Sequence, residues 1–202
     1  MHRRLGLLVL AIGMVVFIAR LSLGEREPDS GAVLKMPAIQ VTDYLHAVIE
    51  SHRTFYTVQV VERLQMKGAM VASHNWRAAP TLPLPAQLLM EANDLGATTG
   101  SPVRYKLISR WPINPHNAPE SDFEKKGLEA VETDPDRSYA GIVTTGKEMT
   151  TGKDKWFTAI YADVAVAQAC IGCHNSDPLS PKRDFKRGDV MGAVVISIPA
   201  KE

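Results

Sequence analysis

Both cysteines of this 202-residue chain lie in one short stretch, QACIGCHNSD (168–177), two residues apart, with a histidine directly behind them. Cys170-Ile171-Gly172-Cys173-His174 is the C-x-x-C-H pattern of c-type haem attachment. The spacing has a mechanical reason. Two thiols separated by two residues reach the two vinyl groups of one porphyrin, and the next residue then lies beneath the iron as an imidazole ligand. Other chemistries use parts of the same pattern. A thioredoxin-like dithiol needs C-x-x-C at a helix N-terminus after a strand of a βαβ unit, and the surrounding sequence suggests no such unit. A structural zinc site wants four Cys/His ligands. With no second C-x-x-C, His116 or His74 would have to complete it. A disulfide across two residues is strained. The preferred reading is one covalent haem c, bound through Cys170 and Cys173, with His174 on the iron.

That reading requires a compartment outside the cytoplasm, and the N-terminus suits one. MHRRLGLLVLAIGMVVFIARLSLGE has Arg3 and Arg4 before an uncharged apolar run from Leu5 to Ala19. Fifteen residues is short for a membrane span of about 20 and suits a signal-peptide core of about 7–15. Ser22-Leu23-Gly24 places small residues where a signal peptidase acts. Residues 1–24 are therefore expected to be a signal peptide or an N-terminal membrane anchor, leaving the rest periplasmic or otherwise extracytoplasmic. Removing them takes away Arg3, Arg4 and Arg20 and no acid, so 20 basic and 22 acidic residues remain, a formal charge of −2. No basic stripe points to nucleic acid. Without scattered disulfides, the core of this single domain must stand on packing alone.

Residues 25–36 (EREPDSGAVLKM) read as a polar tether, and the functional domain as 37–202. From Pro37, Val41, Leu45, Val48, His52 and Phe55 recur at helical spacing and predict one long helix to about Met66. A second helix is expected from Pro85 to Leu95, ended by Gly96. Tyr105 to Ser109 alternates as a strand. Ser121 with Glu124 resembles a capping box for a helix to about Glu132. TTGKEMTTGKDK (144–155) suggests a hairpin turn. Trp156–Val164 and Val190–Ile198 read as strands, the second apolar on both faces and therefore central. The expected class is α+β: an antiparallel sheet, a long N-terminal helix and short connecting helices, with the cysteine-bearing loop before the last strand.

Together these residues resemble the PAS-like, c-type-haem sensor domain family long catalogued as a domain of unknown function. The likeness runs through DYLHAVIESHRTFYTVQVVERL, LPLPAQ, SRWPINPHNAPESDFEKKGLEAV, WFTAIYADVAVAQACIGCHN and DFKRGDVMGAVVISIP. It implies a PAS-like sheet with the haem held against it. Members occur alone or as exported sensory regions of membrane-bound signalling proteins. A cysteine can serve as second axial ligand in that family, whereas here the attachment motif uses both cysteines.

The sixth position must then be another side chain, water, or empty. His46 and His52 lie on the predicted long helix and are the first candidates. His46 is preferred because the resemblance is strongest around it, and His52 is the alternative. Met66, Met70, Met90 and Met191 are further candidates, although methionine at helical spacing more often packs a core. His74 reads as a surface residue. His116, inside the Asn-Pro-His-Asn loop, is a candidate contact for a haem propionate. Arg104, Lys106 and Arg110 are candidates for that contact by charge alone.

Bis-histidine ligation suits one-electron transfer or redox sensing, histidine/methionine ligation raises the potential, and an open site suits a diatomic gas. The leading expectation is electron transfer or redox sensing with a redox partner protein. The alternative is a CO, NO or O2 sensor working through a separate signalling partner, since no output element follows Glu202. Membrane contact is expected only through the N-terminal segment. No pair of acid–base residues is forced together by the sequence, so no enzyme activity is expected.

Overall fold

A strand that is apolar on both faces needs cover on both sides. Val190–Pro199, with Met191 to Ile196 all buried, receives it. In the computed structural model, which describes residues 35–145 and 154–200, this last strand, β4, lies inside a four-stranded antiparallel sheet. Its companions are β1 (Arg104–Ile108), β2 (Tyr139–Thr145) and β3 (Asp154–Val164), in the order β1-β4-β3-β2. Leu107 pairs with Val194, Ala159 with Ile196, and Thr145 with Asp154. The tip of the hairpin expected over 144–155 lies outside the described residues.

Pleating sends alternate residues of β4 to opposite faces. Val194 and Ile196 join Leu107, Ala159 and Tyr161 on the face covered by α1 (Ala38–Phe55) and α3 (Pro85–Thr98), through Ile39, Leu45, Ile49 and Leu89. Ala193 and Val195 join Ile108 and Ile160 on the other, where Leu128 and Val131 of α4 (Asp122–Thr133) close the core. The fold is therefore a mixed α+β domain with helices on both faces of an antiparallel sheet.

The long helix forms at the expected place but with a different inner face. α1 continues as a π-helical segment, Tyr56–Glu62, and then as α2, Arg63–Met66. Val48 and Phe55 are 54% and 63% exposed, and His52 is also exposed. The buried residues are Thr42, Arg53, Thr57 and Val61. The two threonines can face inward because their hydroxyls are satisfied there, and Arg53 because it is paired with Asp163. Thr42 Oγ1 donates to Ile39 O at 2.9 Å and accepts from the Tyr161 hydroxyl at 2.9 Å, while Thr57 Oγ1 donates to Arg53 O at 2.8 Å.

Other boundaries moved for local reasons. α3 runs past Gly96 to Thr98. Gly100, at φ 80°, then closes a Schellman turn, with Gly100 N–H donating to Ala97 O at 3.2 Å and Ser101 N–H to Gly96 O at 3.1 Å. Ser121 caps α4, accepting from Glu124 N–H at 3.2 Å. The Glu124 carboxylate takes the N–H of Glu120 instead of that of Ser121, so the reciprocal half of the box falls one residue early. The stretch expected as a cysteine-bearing loop is a nine-residue helix, α5 (Gln168–Ser176). No helix among the described residues is long and apolar enough to cross a membrane. The segments read as signal peptide or anchor (1–24) and most of the tether (25–34) lie outside the described residues.

Candidate functional site

Helix α5 forms although its own N-cap residue, Ala167, offers no capping side chain. Its first N–H groups are satisfied from elsewhere. Glu62, in the π-helical segment, accepts from Gln168 N–H at 2.7 Å and from Ala169 N–H at 3.3 Å. A carboxylate at this end also complements the helix dipole. At the other end Asp177 N–H donates to Cys173 O at 2.9 Å. Successive residues turn by about 100° on a helix, so Cys170, Cys173 and His174 fall within an arc of about 100° on one side.

The adjoining side is anchored. Ile171 is buried with Ala165, Phe185 and Met191, and Trp111 packs against this cluster. Asn175 clasps the following segment, its Nδ2 donating to Phe185 O at 2.9 Å and its Oδ1 accepting from Phe185 N–H at 3.0 Å. The Phe185 ring in turn meets His174 edge-on at 5.8 Å. One short helix is thus pinned through its first N–H groups, its apolar side and Asn175, with Cys170 and His174 beside the pin.

That side borders a cavity of about 470 Å³, within the 300–1,000 Å³ range of cofactor and ligand pockets. Thr57 and Val61 of the long helix, Met90 of α3, Trp111 and Ile113 of the proline-rich loop, and Met191 of β4 contribute to its walls. Arg53 and Asp163 also line it, with Arg53 Nη2 2.5 Å from Asp163 Oδ1. Burial pushes the Cys170 and Cys173 thiols above the ordinary thiol range, and burial holds His174 below the usual histidine value. The cysteines form no disulfide, and burial of His174 favours the neutral imidazole, the form that ligates metals. Reactive dithiols need the opposite shift, toward thiolate. Among the described residues no cluster of three or more His, Cys, Asp or Glu side chains is placed to hold a metal ion.

Cys170, Cys173, His174 and His116 line this one cavity, and so do His74, Met90 and Met191. His116 follows Asn114, whose side chain accepts the His116 N–H at 3.1 Å, and its own side chain is exposed. His74 Nε2 lies 3.5 Å from Asp177 Oδ2. The two helix histidines do not line the cavity. His46 is stacked on Tyr161 at 4.1 Å between ring centroids, and His52, expected to point inward, faces solvent. Met66, 81% exposed, and Met70 are likewise outside the lining. The basic residues weighed by charge are engaged elsewhere. Arg104 stacks over Trp156, Lys106 pairs with Glu120 and Glu124, and Arg110 pairs with Glu132.

The model of the Tll0287-like family matches residues 32–199. The chain belongs to the Tll0287-like family. The resemblance drawn from motifs between Pro37 and Pro199 covers nearly the same span. The matched residues of this Tll0287-like chain run from before α1 to the last residue of β4 and include every wall of the cavity. The crystal structure of the cyanobacterial heme-protein Tll0287 is similar to it at 13% identity and a TM-score of 0.47, covering 83% of this chain and 99% of that one. No curated protein matches.

Several residues that build the site carry no signal in the sequence. Glu62 and Asp163 look like ordinary charges of a helix and a strand, and Arg53 like a solvated position next to His52. Asn175 and Phe185 lie within the quoted stretches CIGCHN and DFKRGDV, but their clasp spans ten residues of irregular chain and follows no repeat.

Proposed function

We propose that this protein is an exported monohaem c-type protein that acts in one-electron transfer or redox sensing with a partner protein. The observation that carries the reading is that Cys170, Cys173 and His174 share one helix face on the wall of a mainly apolar 470 Å³ cavity. The residues fit the group. The thiols are free, and His174 has a buried Nδ1 with no hydrogen-bond partner. Membership of the family named for Tll0287, itself a heme protein, supports the same cofactor. The antiparallel sheet with α1 across one face supports a PAS-like arrangement.

Cys170 and Cys173 would hold the haem through thioether bonds, and neutral His174 would ligate the iron. Bound there, the haem supplies a one-electron Fe(III)/Fe(II) couple. Phe185 and the Asn175 clasp orient the imidazole, and the long helix and the proline-rich loop form walls of the cavity. His116, exposed at the cavity wall, suits a propionate contact.

A second reading has its own support. With His46 stacked on Tyr161 and His52 exposed, the long helix and its π-helical continuation turn Arg53, Thr57 and Val61 to the cavity and offer no imidazole there. A sixth position left to a weak ligand would admit CO, NO or O2. Haem staining after denaturing electrophoresis tests the first claim: the band is expected in the wild type and lost or crippled in Cys173→Ala. Carbon monoxide then separates the readings. An unchanged reduced spectrum fits a closed electron carrier, and a shifted one fits a gas-accessible sensor.

A further inference from the structure

We infer that the buried Arg53–Asp163 ion pair sets the reduction potential of the iron at this site, an inference that rests on the haem reading above. The two side chains are only 9% and 11% exposed, yet they lie in the cavity wall that also carries Cys170, Cys173 and His174. Arg53 comes from the turn before the π-helical segment, and Asp163 from the end of β3 where the register with β4 shifts. Stability alone does not account for such a pair. Buried ion pairs can often be replaced by apolar residues without loss, because desolvation offsets the attraction. Nor is the guanidinium fully satisfied by protein. Arg53 Nε and Nη1 are buried without a hydrogen-bond partner, although Glu50 Oε2 lies 3.5 Å from Nη1.

Charges held out of water act strongly on their surroundings and are weakly screened by salt. The influence of this pair reaches the attachment residues, since Arg53 and Asp163 line the same cavity as Cys170, Cys173 and His174 and their charges face the space the haem would fill. The sign of each contribution follows from charge. Fe(III) carries one positive charge more than Fe(II), so Asp163 stabilises the oxidised state and lowers the potential. Arg53 favours the reduced state and raises it. Glu50, beside Arg53, acts in the same sense as Asp163, and His46, neutral when buried, adds little.

The test is redox titration of the haem-loaded wild type and of Asp163→Asn, Arg53→Gln, Arg53→Lys and the double variant Arg53→Gln/Asp163→Asn. Asp163→Asn should raise the potential and Arg53→Gln should lower it, each changing the reduced-to-oxidised ratio at fixed ambient potential at least tenfold, about 59 mV for one electron. Arg53→Lys should stay near the wild type, and the double variant should return toward it. A purely structural role gives no such opposition of sign. If Arg53→Gln does not accumulate, a rise in Asp163→Asn with little change in Arg53→Lys supports the pair, and any other pattern overturns it. A wild type without a haem band overturns the haem reading itself. Haem-loaded variants whose potentials shift together, or not at all, overturn only the role of the pair.

Discussion

Glu62 caps a helix that begins 106 residues further along the chain, its carboxylate accepting the N–H of Gln168 at 2.7 Å. Glu62 lies in the π-helical segment, and the capped helix carries Cys170, Cys173 and His174. The long helix is therefore bonded directly to the element that bears the candidate chemistry. Loss of a cap costs about 0.5–2 kcal/mol. Glu62→Ala is expected to destabilise the domain by about 1–2 kcal/mol and Glu62→Gln by less, measured by urea denaturation.

The Asn175 clasp should matter more than its exposure suggests. Asn175→Ala leaves both the N–H and the C=O of buried Phe185 without their partner, at about 1–3 kcal/mol for each unsatisfied buried group. Asn175→Asp keeps the acceptor and loses the donor, so it should fall between wild type and Asn175→Ala. The order of denaturation midpoints checks this.

Gly192 is set by close approach. A Cβ there would lie 2.4 Å from the carbonyl oxygen of Ile108, a backbone atom that cannot swing aside. Both residues line the cavity. Gly192→Ala should force β1 away from β4 and cost at least the about 1–3 kcal/mol typical of overpacking, with a lower thermal midpoint. Gly172, where an added Cβ meets nothing within 4 Å, should accept alanine with little change in stability.

How the sequence came to be half-legible is clearest on α1. Its 3.6-residue period was visible, but the stripe of Val48, His52 and Phe55 pointed to the wrong face, because burial here follows Thr42, Arg53 and Thr57. Periodicity arguments assume that apolar residues go inside, and a face built around paired and back-bonded polar groups defeats them. The central strand β4 was legible because its apolar run has no polar side. Cys170, Cys173 and His174 stand together in the sequence, and the fold adds that they share one helix face on the cavity wall. Arg53–Asp163 and Glu62–Gln168 join residues more than 100 positions apart, and only the fold brings them together.

Burial also gives stability a pH dependence. His46 is held below its ordinary value of 6.5, chiefly by desolvation, so protons bind the unfolded chain more readily than the folded one. Its contribution to stability is fully present above about pH 6.5, the unfolded value, and is lost as pH falls through the lower folded one. His46→Phe keeps a ring against Tyr161 and removes the titration. Urea midpoints measured from pH 8 to pH 5 should fall less steeply for this variant than for the wild type.

The measurement that bears most directly on the whole account is the intact mass, under denaturing conditions, of the protein matured in a host competent for c-type haem attachment. The expected result is the mass of the exported polypeptide plus one haem, and of the polypeptide alone when Cys170 and Cys173 are both replaced by alanine. A wild-type protein that carries only the mass of its amino acids, from a host that attaches haem to a control cytochrome, would contradict it.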